Sequence, residues 1–458
     1  MTDDAITRRA FLRRYASGAA GAALACSAGR GVAARGERSG RSDRRPNIIL
    51  IMADDLGYEC IGANGGTSYR TPQLDRLAAG GMRFEHCYCT PLCSPTRVLL
   101  MTGRYGFRNY RGWGVLDPKE RTFGHVLREA GYATCISGKW QFCEFDKPEN
   151  ADHPKRSGFD RSCVWVWHYK KGKPSRYWDP VIWQDGALLA GTKGKFGPDI
   201  HCDYVLDFIE RNRDRPFFAY YSTNLVHAPF VPTPDSRPDA AEAGGKEPEG
   251  KARAKGGKGK SRANYKAMVE YMDKCIGRVV AKLGELGLRE RTLILFTGDN
   301  GTPRGIKSKM GERTIDGGKG RMTDAGTHVP LIANWPARVP AGRTTDALVD
   351  FSDVMPTLAE LARAKLPEGV KIDGRSFVGQ LLGKKGGGRP WAYIHHGGAS
   401  AAGKLRAART QRWKLYGDGR LFDVQADPDE SRPVGPAGQS PEAAAARKRL
   451  AAALASLK

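Results

Sequence analysis

Five short runs that are almost entirely apolar, at residues 47–53, 133–137, 217–222, 292–297 and 329–334, constrain this chain more than any other feature. A strand with one face in water alternates apolar and polar residues; runs without that interruption belong to strands covered on both faces. Segments between them carry helical spacing, clearest at 265–286, where Met268, Tyr271, Met272, Ile276, Val279 and Leu283 share a face. This repetition predicts an α/β fold with a large, doubly wound, mostly parallel sheet. Beyond about residue 373 the texture changes to Gly-rich turns and short runs at 391–395, 405–410, 413–416 and 420–424, which predict a small antiparallel sheet. The Ala-rich 442–457 predicts a terminal amphipathic helix. A chain of 458 residues can bury one large core and a smaller unit. The expected division is 1–45 as signal and linker, 46–372 as the main domain with a disordered insertion near 236–262, and 373–458 as a C-terminal subdomain.

The first segment is set apart by Thr7-Arg8-Arg9-Ala10-Phe11-Leu12 and the small apolar run 16–25, the pattern of a twin-arginine export signal. That run is too short to span a bilayer stably, so the expected location is periplasmic or extracellular. Leu24-Ala25-Cys26 is faintly similar to a lipoprotein cleavage site, but Ala23 stands where a larger aliphatic residue is usual, which favours plain cleavage over lipidation. Formal charge is +25; residues 1–45 hold ten arginines and four acids, so the remainder keeps +19. Much of the excess lies in the Gly/Lys/Ala-rich 246–262, which reads as a solvated surface insertion, and with no nucleic-acid motif present no nucleic-acid partner is expected. Ten cysteines would permit disulfides in an exported chain, but no framework spacing assigns a pairing. Cys87, Cys89 and Cys93 lack the second ligand pair of a zinc cluster.

In open α/β sheets ligands gather beyond the carboxyl ends of strands, so the residues after each run matter most. The run 47–53 leads into Asp54-Asp55, and 292–297 into Gly298-Asp299-Asn300-Gly301. Hard oxygen donors of this kind suit calcium or magnesium. The run 133–137 leads into Gly138-Lys139-Trp140-Gln141, and 217–222 towards His227-Ala228-Pro229, supplying cations and hydrogen-bond donors. In Cys93-Ser94-Pro95-Thr96-Arg97, Pro95 suits a helix's first turn, which places Cys93 at the positively polarised N-terminus.

Taken in order, these motifs resemble the formylglycine-dependent sulfatases over nearly all of the chain beyond Arg45. The resemblance rests on 45–57 with Asp54 and Asp55, on 71–77, on 93–103, on 131–140 with Lys139, on 297–301 with Asp299 and Asn300, on Gly317-Gly318-Lys319, and on 421–428 near the C-terminus. It implies an alkaline phosphatase-like fold, oxidation of Cys93 to formylglycine by a formylglycine-generating enzyme, and one divalent ion on Asp54, Asp55, Asp299, Asn300 and the modified Cys93. By resemblance that ion is calcium, with magnesium the alternative. Arg97, Lys139, His227 and Lys319 are the implied catalytic partners. One hydroxyl of the aldehyde hydrate would attack sulfur, Lys139, Lys319 and Arg97 would steady the sulfate oxygens, and His227 or Lys319 would protonate the departing alcohol. The second hydroxyl would then expel sulfate.

Three positions depart from the family pattern. Thr96 stands where serine is commoner; His328 stands where arginine is expected and reads as a packing residue; Gln141 stands where histidine is frequent. Gln141 can hydrogen-bond but cannot exchange a proton near neutral pH, so its expected role is to position substrate. Aromatic and basic residues interleave at 164–171 and at Tyr177-Trp178, a surface suited to stacking sugars, with His168 the expected substrate contact. The expected substrate is a small or glycan sulfate ester, most simply a sulfated carbohydrate. The alternatives are a phosphonate monoester or phosphodiester hydrolase on the same fold, and a non-catalytic polyanion binder.

Overall fold

The computed structural model describes residues 45–170, 172–237, 258–396 and 405–457. The export and lipidation readings of 1–44 lie outside these residues, as does most of the 236–262 insertion. Ten strands form the main sheet: β1 Asn47–Ala53, β2 Met82–Tyr88, β3 Ala133–Lys139, β4 Arg161–Trp165, β5 Ile182–Gln184, β6 Ala187–Leu188, β7 Phe217–Ser222, β8 Thr292–Gly298 and, after a hairpin of β9 Lys307–Met310 and β10 Arg313–Asp316, β11 Leu331–Asn334 and β12 Arg343–Asp350. Their order is β12-β2-β11-β8-β1-β7-β3-β4-β5-β6. β8, β1, β7, β3 and β4 pair in parallel, while β11 and β5 run against their neighbours.

β1 shows why the uninterrupted runs had to be central. Ile48, Leu50 and Met52 face one core, shared with the helices Cys93–Thr102, Phe123–Glu129 and Val354–Ala362; Ile49, Ile51 and Ala53 face another, shared with the helices Pro72–Ala79, Gly197–Arg211 and Lys258–Glu285. Each buried Ile, Leu or Met contributes about 1.5–3 kcal/mol relative to exposure, so a polar residue anywhere in β1 would oppose one face or the other. The helix Lys258–Glu285 starts earlier than the 265–286 pattern, so residues 258–262 are helical and not part of a disordered insertion.

The C-terminal antiparallel sheet is present as β13 Ala392–His395, β14 Arg406–Arg409, β15 Trp413–Tyr416 and β16 Leu421–Asp423, followed by the helix Pro441–Ser456. Tyr393, Trp413 and Leu415 from the sheet and Leu450 and Leu454 from the helix join the first core, so this unit is packed onto the main sheet through apolar contact. Among the described residues all nine cysteines are free, and no helix is long and apolar enough to cross a membrane.

Candidate active site

Register places the polar residues side by side. Ala53 pairs with Gly298, Met52 with Ser222, and Ser222 with Gly138, so the carboxyl ends of β8, β1, β7 and β3 form one edge. Asp299 and Asp54 emerge from that edge on adjacent strands, about 4.8 Å apart in the pairing direction, and Lys139 stands one strand further on, with β7 between β1 and β3. Two glycines permit the approach. A Cβ on Gly138, whose φ is +110°, would lie 1.9 Å from the Ser222 carbonyl oxygen, and one on Gly301 would lie 1.9 Å from that of Ala325.

The side chains then interlock. Lys139 Nζ donates to both oxygens of Asp54 at 2.8 Å, with both residues buried. Lys319 Nζ donates to Asp55 Oδ2 at 2.6 Å, and His227 Nε2 lies 3.8 Å from the same oxygen. Arg97 Nε donates to Asp299 Oδ2 at 2.9 Å, and another of its nitrogens donates to Ser222 Oγ. Asp299 Oδ1 accepts from the Asp55 backbone N–H at 2.9 Å, and Asn300 Nδ2 donates to Asp55 Oδ1 at 2.9 Å. Asp55 adopts φ +65°, a left-handed conformation that Asp tolerates better than most residues.

Cys93 opens the helix Cys93–Thr102, all of whose residues are buried. Pro95 falls in the first turn, where a missing N–H forfeits no intrahelical bond. Cys93, Asp54 and Asp299 each bring one ligand-capable atom within 4.8 Å of the others, as do Asp54, Asp55 and His227. Burial raises the Cys93 thiol above its ordinary value, with Asp299 and Asp54 adding to the rise and Lys139 opposing it, so a thiolate is disfavoured at neutral pH.

The carboxylates split in the same field. Burial pushes Asp54 up, but Lys139, then His227, Arg97 and Lys319 outweigh it and hold that carboxyl well below the usual range. Asp55 is lowered too, where burial is outweighed by His227 and Lys319. Asp299 moves to about 6, because burial and neighbouring Asp54 prevail over Arg97 and Lys139. Burial, then Arg176, lowers His227 to about 3; Lys319 is raised, since burial is outweighed by Asp55, Cys93 and Asp54. His227 Nδ1 faces the Ala228 carbonyl, which can only accept, so Nδ1 carries the proton and Nε2 keeps a lone pair.

Asp54, Asp55, Cys93, Arg97, Lys139, His227, Asp299, Asn300 and Lys319 are thus brought together. Gln141 follows Lys139 by two residues at φ +54°, with Oε1 buried and unpartnered. His168 makes no hydrogen bond or ion pair with the cluster; it packs beside Trp167, ring centres 5.6 Å apart. Of the aromatic residues expected to stack sugars, Trp167 and Tyr169 remain partly exposed beside His168, while Trp165, Tyr177 and Trp178 are buried. Their polar atoms hold backbone carbonyls, Trp165 those of Pro174 and Ser175, Tyr177 those of Asn224 and His227, Trp178 that of Pro232, so these rings fasten loops together. His328 is a packing residue as expected, stacked on Tyr58 at 4.1 Å with Nε2 donating to the Glu85 carbonyl. Ser222 and Arg176, the latter with one nitrogen 3.7 Å from Asp54 Oδ2, have no signal in the sequence beyond a strand end and a neighbouring aromatic pair.

The donor set fits a hard divalent cation. Asn300 Oδ1 is buried without a hydrogen-bond partner while its Nδ2 is spent on Asp55 and the Gly301 carbonyl, leaving a lone acceptor beside carboxylates. Such an oxygen costs about 1–3 kcal/mol unless something positive takes its lone pair.

Residues 46–364 match the sulfatase family model, and 317–458 match the model described as N-sulphoglucosamine sulphohydrolase, C-terminal. Arylsulfatase A of Homo sapiens is 31% identical over 468 residues, spanning 89% of this chain and 87% of its own length. N-acetylgalactosamine-6-sulfatase of Canis lupus familiaris is 30% identical over 76% of this chain and 68% of its own. Among solved structures, Ps i-CgsB in complex with k-i-k-neocarrahexaose superposes with a TM-score of 0.68 at 27% identity, covering 85% of this chain and 89% of the other.

Proposed function

The chain belongs to the sulfatase family and is a sulfuric ester hydrolase, and from that premise we propose that it acts on a sulfated carbohydrate, with Cys93 oxidised to formylglycine as its nucleophile. The observation that carries this reading is the placement of Cys93 within 4.8 Å of Asp54 and Asp299 ligand atoms, where its thiol is held protonated. A protonated, buried thiol is a poor nucleophile. An aldehyde hydrate at the same position offers one hydroxyl to attack sulfur and a second to expel sulfate afterwards. The carbohydrate assignment is supported by relatives whose names or ligands are glycan sulfatases and glycans.

Asp54, Asp55, Asp299, Asn300 and the modified Cys93 would hold one divalent ion, calcium by family resemblance, which when bound supplies positive charge against the substrate oxygens and favours a deprotonated hydroxyl. Lys139 keeps Asp54 ionised, and Arg97, fixed by Asp299 and Ser222, sets the first turn of the nucleophile helix. Lys319, hydrogen-bonded to Asp55 and partly exposed, or His227, 3.8 Å from the same carboxylate, would protonate the departing alcohol. Gln141 orients the substrate without moving a proton. We further propose export by the twin-arginine route to the periplasm or beyond, after maturation by a formylglycine-generating enzyme.

The test is turnover by protein purified from its native source, with sulfated monosaccharides, an aryl sulfate and an aryl phosphodiester side by side. Preference for sulfated sugars supports the assignment; preference for the phosphodiester overturns it. Replacing Arg8 and Arg9 by lysine should retain the protein inside the cell.

A further inference from the structure

Arg176 lies on the loop between β4 and β5, outside every motif that carries the family resemblance. Its guanidinium rests on the Trp165 ring, 4.1 Å from the ring centre, and one nitrogen sits 3.7 Å from Asp54 Oδ2. The side chain is 13% exposed, and that nitrogen is buried with no hydrogen-bond partner. Among the described residues no acceptor takes a hydrogen bond from this guanidinium, although arginine carries five N–H donors. Arg97, the other guanidinium at the site, gives two nitrogens to Asp299 and Ser222 and holds Nη2 as an ion pair 2.8 Å from Asp299 Oδ2, so most of its donors face the protein's own acceptors. Asp54 already has both oxygens taken by Lys139, so Arg176 is not needed as its counter-ion.

The position of Arg176 is built. Trp165 Nε1 donates to the Pro174 and Ser175 carbonyls on one side of it, at 3.3 and 3.1 Å. On the other side Tyr177 donates to the Asn224 and His227 carbonyls, and Trp178 Nε1 to that of Pro232 at 2.9 Å. The Tyr177 carbonyl accepts from the Gly197 N–H at 2.7 Å, and a Cβ on Gly197 would lie 2.3 Å from the Arg176 carbonyl oxygen. A cation fixed this tightly beside Asp54 and the His227 backbone, with its donors unused, is prepared for an anion that the protein itself does not supply.

We propose that Arg176 is a substrate-binding residue that hydrogen-bonds the sulfate group of the ester, on the side of the site where His227 stands. This rests on the sulfatase reading of the site. A planar fork suits two oxygens of a tetrahedral anion, and at a desolvated site a charge-assisted bond of this kind is roughly twice as strong as a neutral one.

The experiment compares wild type with Arg176→Gln, Arg176→Lys and Arg176→Ala in three readouts: kcat/KM on an aryl sulfate and on a sugar sulfate, competitive inhibition by inorganic sulfate, and calorimetric binding of inorganic sulfate to the full-length protein. Arg176→Gln should lower kcat/KM about 10- to 100-fold and weaken both sulfate constants at least tenfold, Arg176→Lys should recover part of each, and free guanidinium ion should partly rescue Arg176→Ala. Unchanged sulfate constants in Arg176→Gln overturn the proposal, as does a loss confined to sugar sulfates with the aryl sulfate untouched. If wild type turns over no sulfate ester the functional reading fails separately, and calorimetry still decides Arg176.

Discussion

Lys139 Nζ donates to both oxygens of Asp54 at 2.8 Å, in a buried pair that reaches across the end of β7, the strand between β1 and β3. Removing one partner of a buried pair leaves the other charge uncompensated, typically at a cost of 3–5 kcal/mol. Asp54→Asn should therefore lose activity and lower the unfolding free energy of the metal-free protein by about that amount, read as a lower denaturant midpoint. A midpoint equal to wild type would mean the pair contributes no stability.

Asp299 at about 6 makes both stability and ion binding depend on pH. Its folded value lies above the unfolded one near 3.8, so its contribution to stability is complete below about 4 and is lost as pH rises through 6. A divalent ion takes the ionised form, so its affinity should climb between pH 4 and 6 and flatten above, with proton release on binding. Asp299→Asn should bind calcium more weakly and lose that rise; calcium titrations at stepped pH measure both.

Gln141 holds no titratable proton, so Gln141→Ala should remove one positioning hydrogen bond and lower kcat/KM by about tenfold or less, without changing the shape of the pH–rate profile. A new or missing limb in that profile would show that Gln141 governs proton transfer.

Gly138→Ala should fail more severely than its size suggests. The added Cβ would meet the Ser222 carbonyl oxygen at 1.9 Å on a backbone at φ +110°, so Lys139 must shift away from Asp54. Strain of this class costs about 1–3 kcal/mol from the backbone alone. Thermal unfolding and activity should fall together, and an active variant of wild-type stability would contradict the registration of β3 on β7.

Mass spectrometry of the peptide containing Cys93, from native source, should find an aldehyde in place of the thiomethyl group. A fully active enzyme with an intact thiol would remove the proposed nucleophile.

The sheet's middle was readable from the chain because strands covered on both faces leave no alternation; β1, β7 and β8 have every residue buried. β2 was not readable, since Arg83, Glu85 and His86 interrupt its apolar residues, nor was β12, whose first half is largely exposed. Asp54, Asp55, Lys139 and Asp299 were legible because each stands at or just past the end of a strand, whereas Arg97 and Lys319 came through the motifs they share with the family. Arg176 was not, because what fixes it is a set of indole and phenol bonds to carbonyls far along the chain, and tertiary pairing of that kind leaves no local pattern. The same fact misled the reading of Trp165, Tyr177 and Trp178, whose aromatic and basic neighbourhood is shared by a sugar platform and a loop fastening.

The helix Cys93–Thr102 has no residue at the surface. An enzyme that modified Cys93 would need access to the backbone around it, and in the folded protein that backbone is covered. The oxidation proposed for Cys93 would therefore have to precede closure of this helix, and a molecule that folds first would keep its thiol.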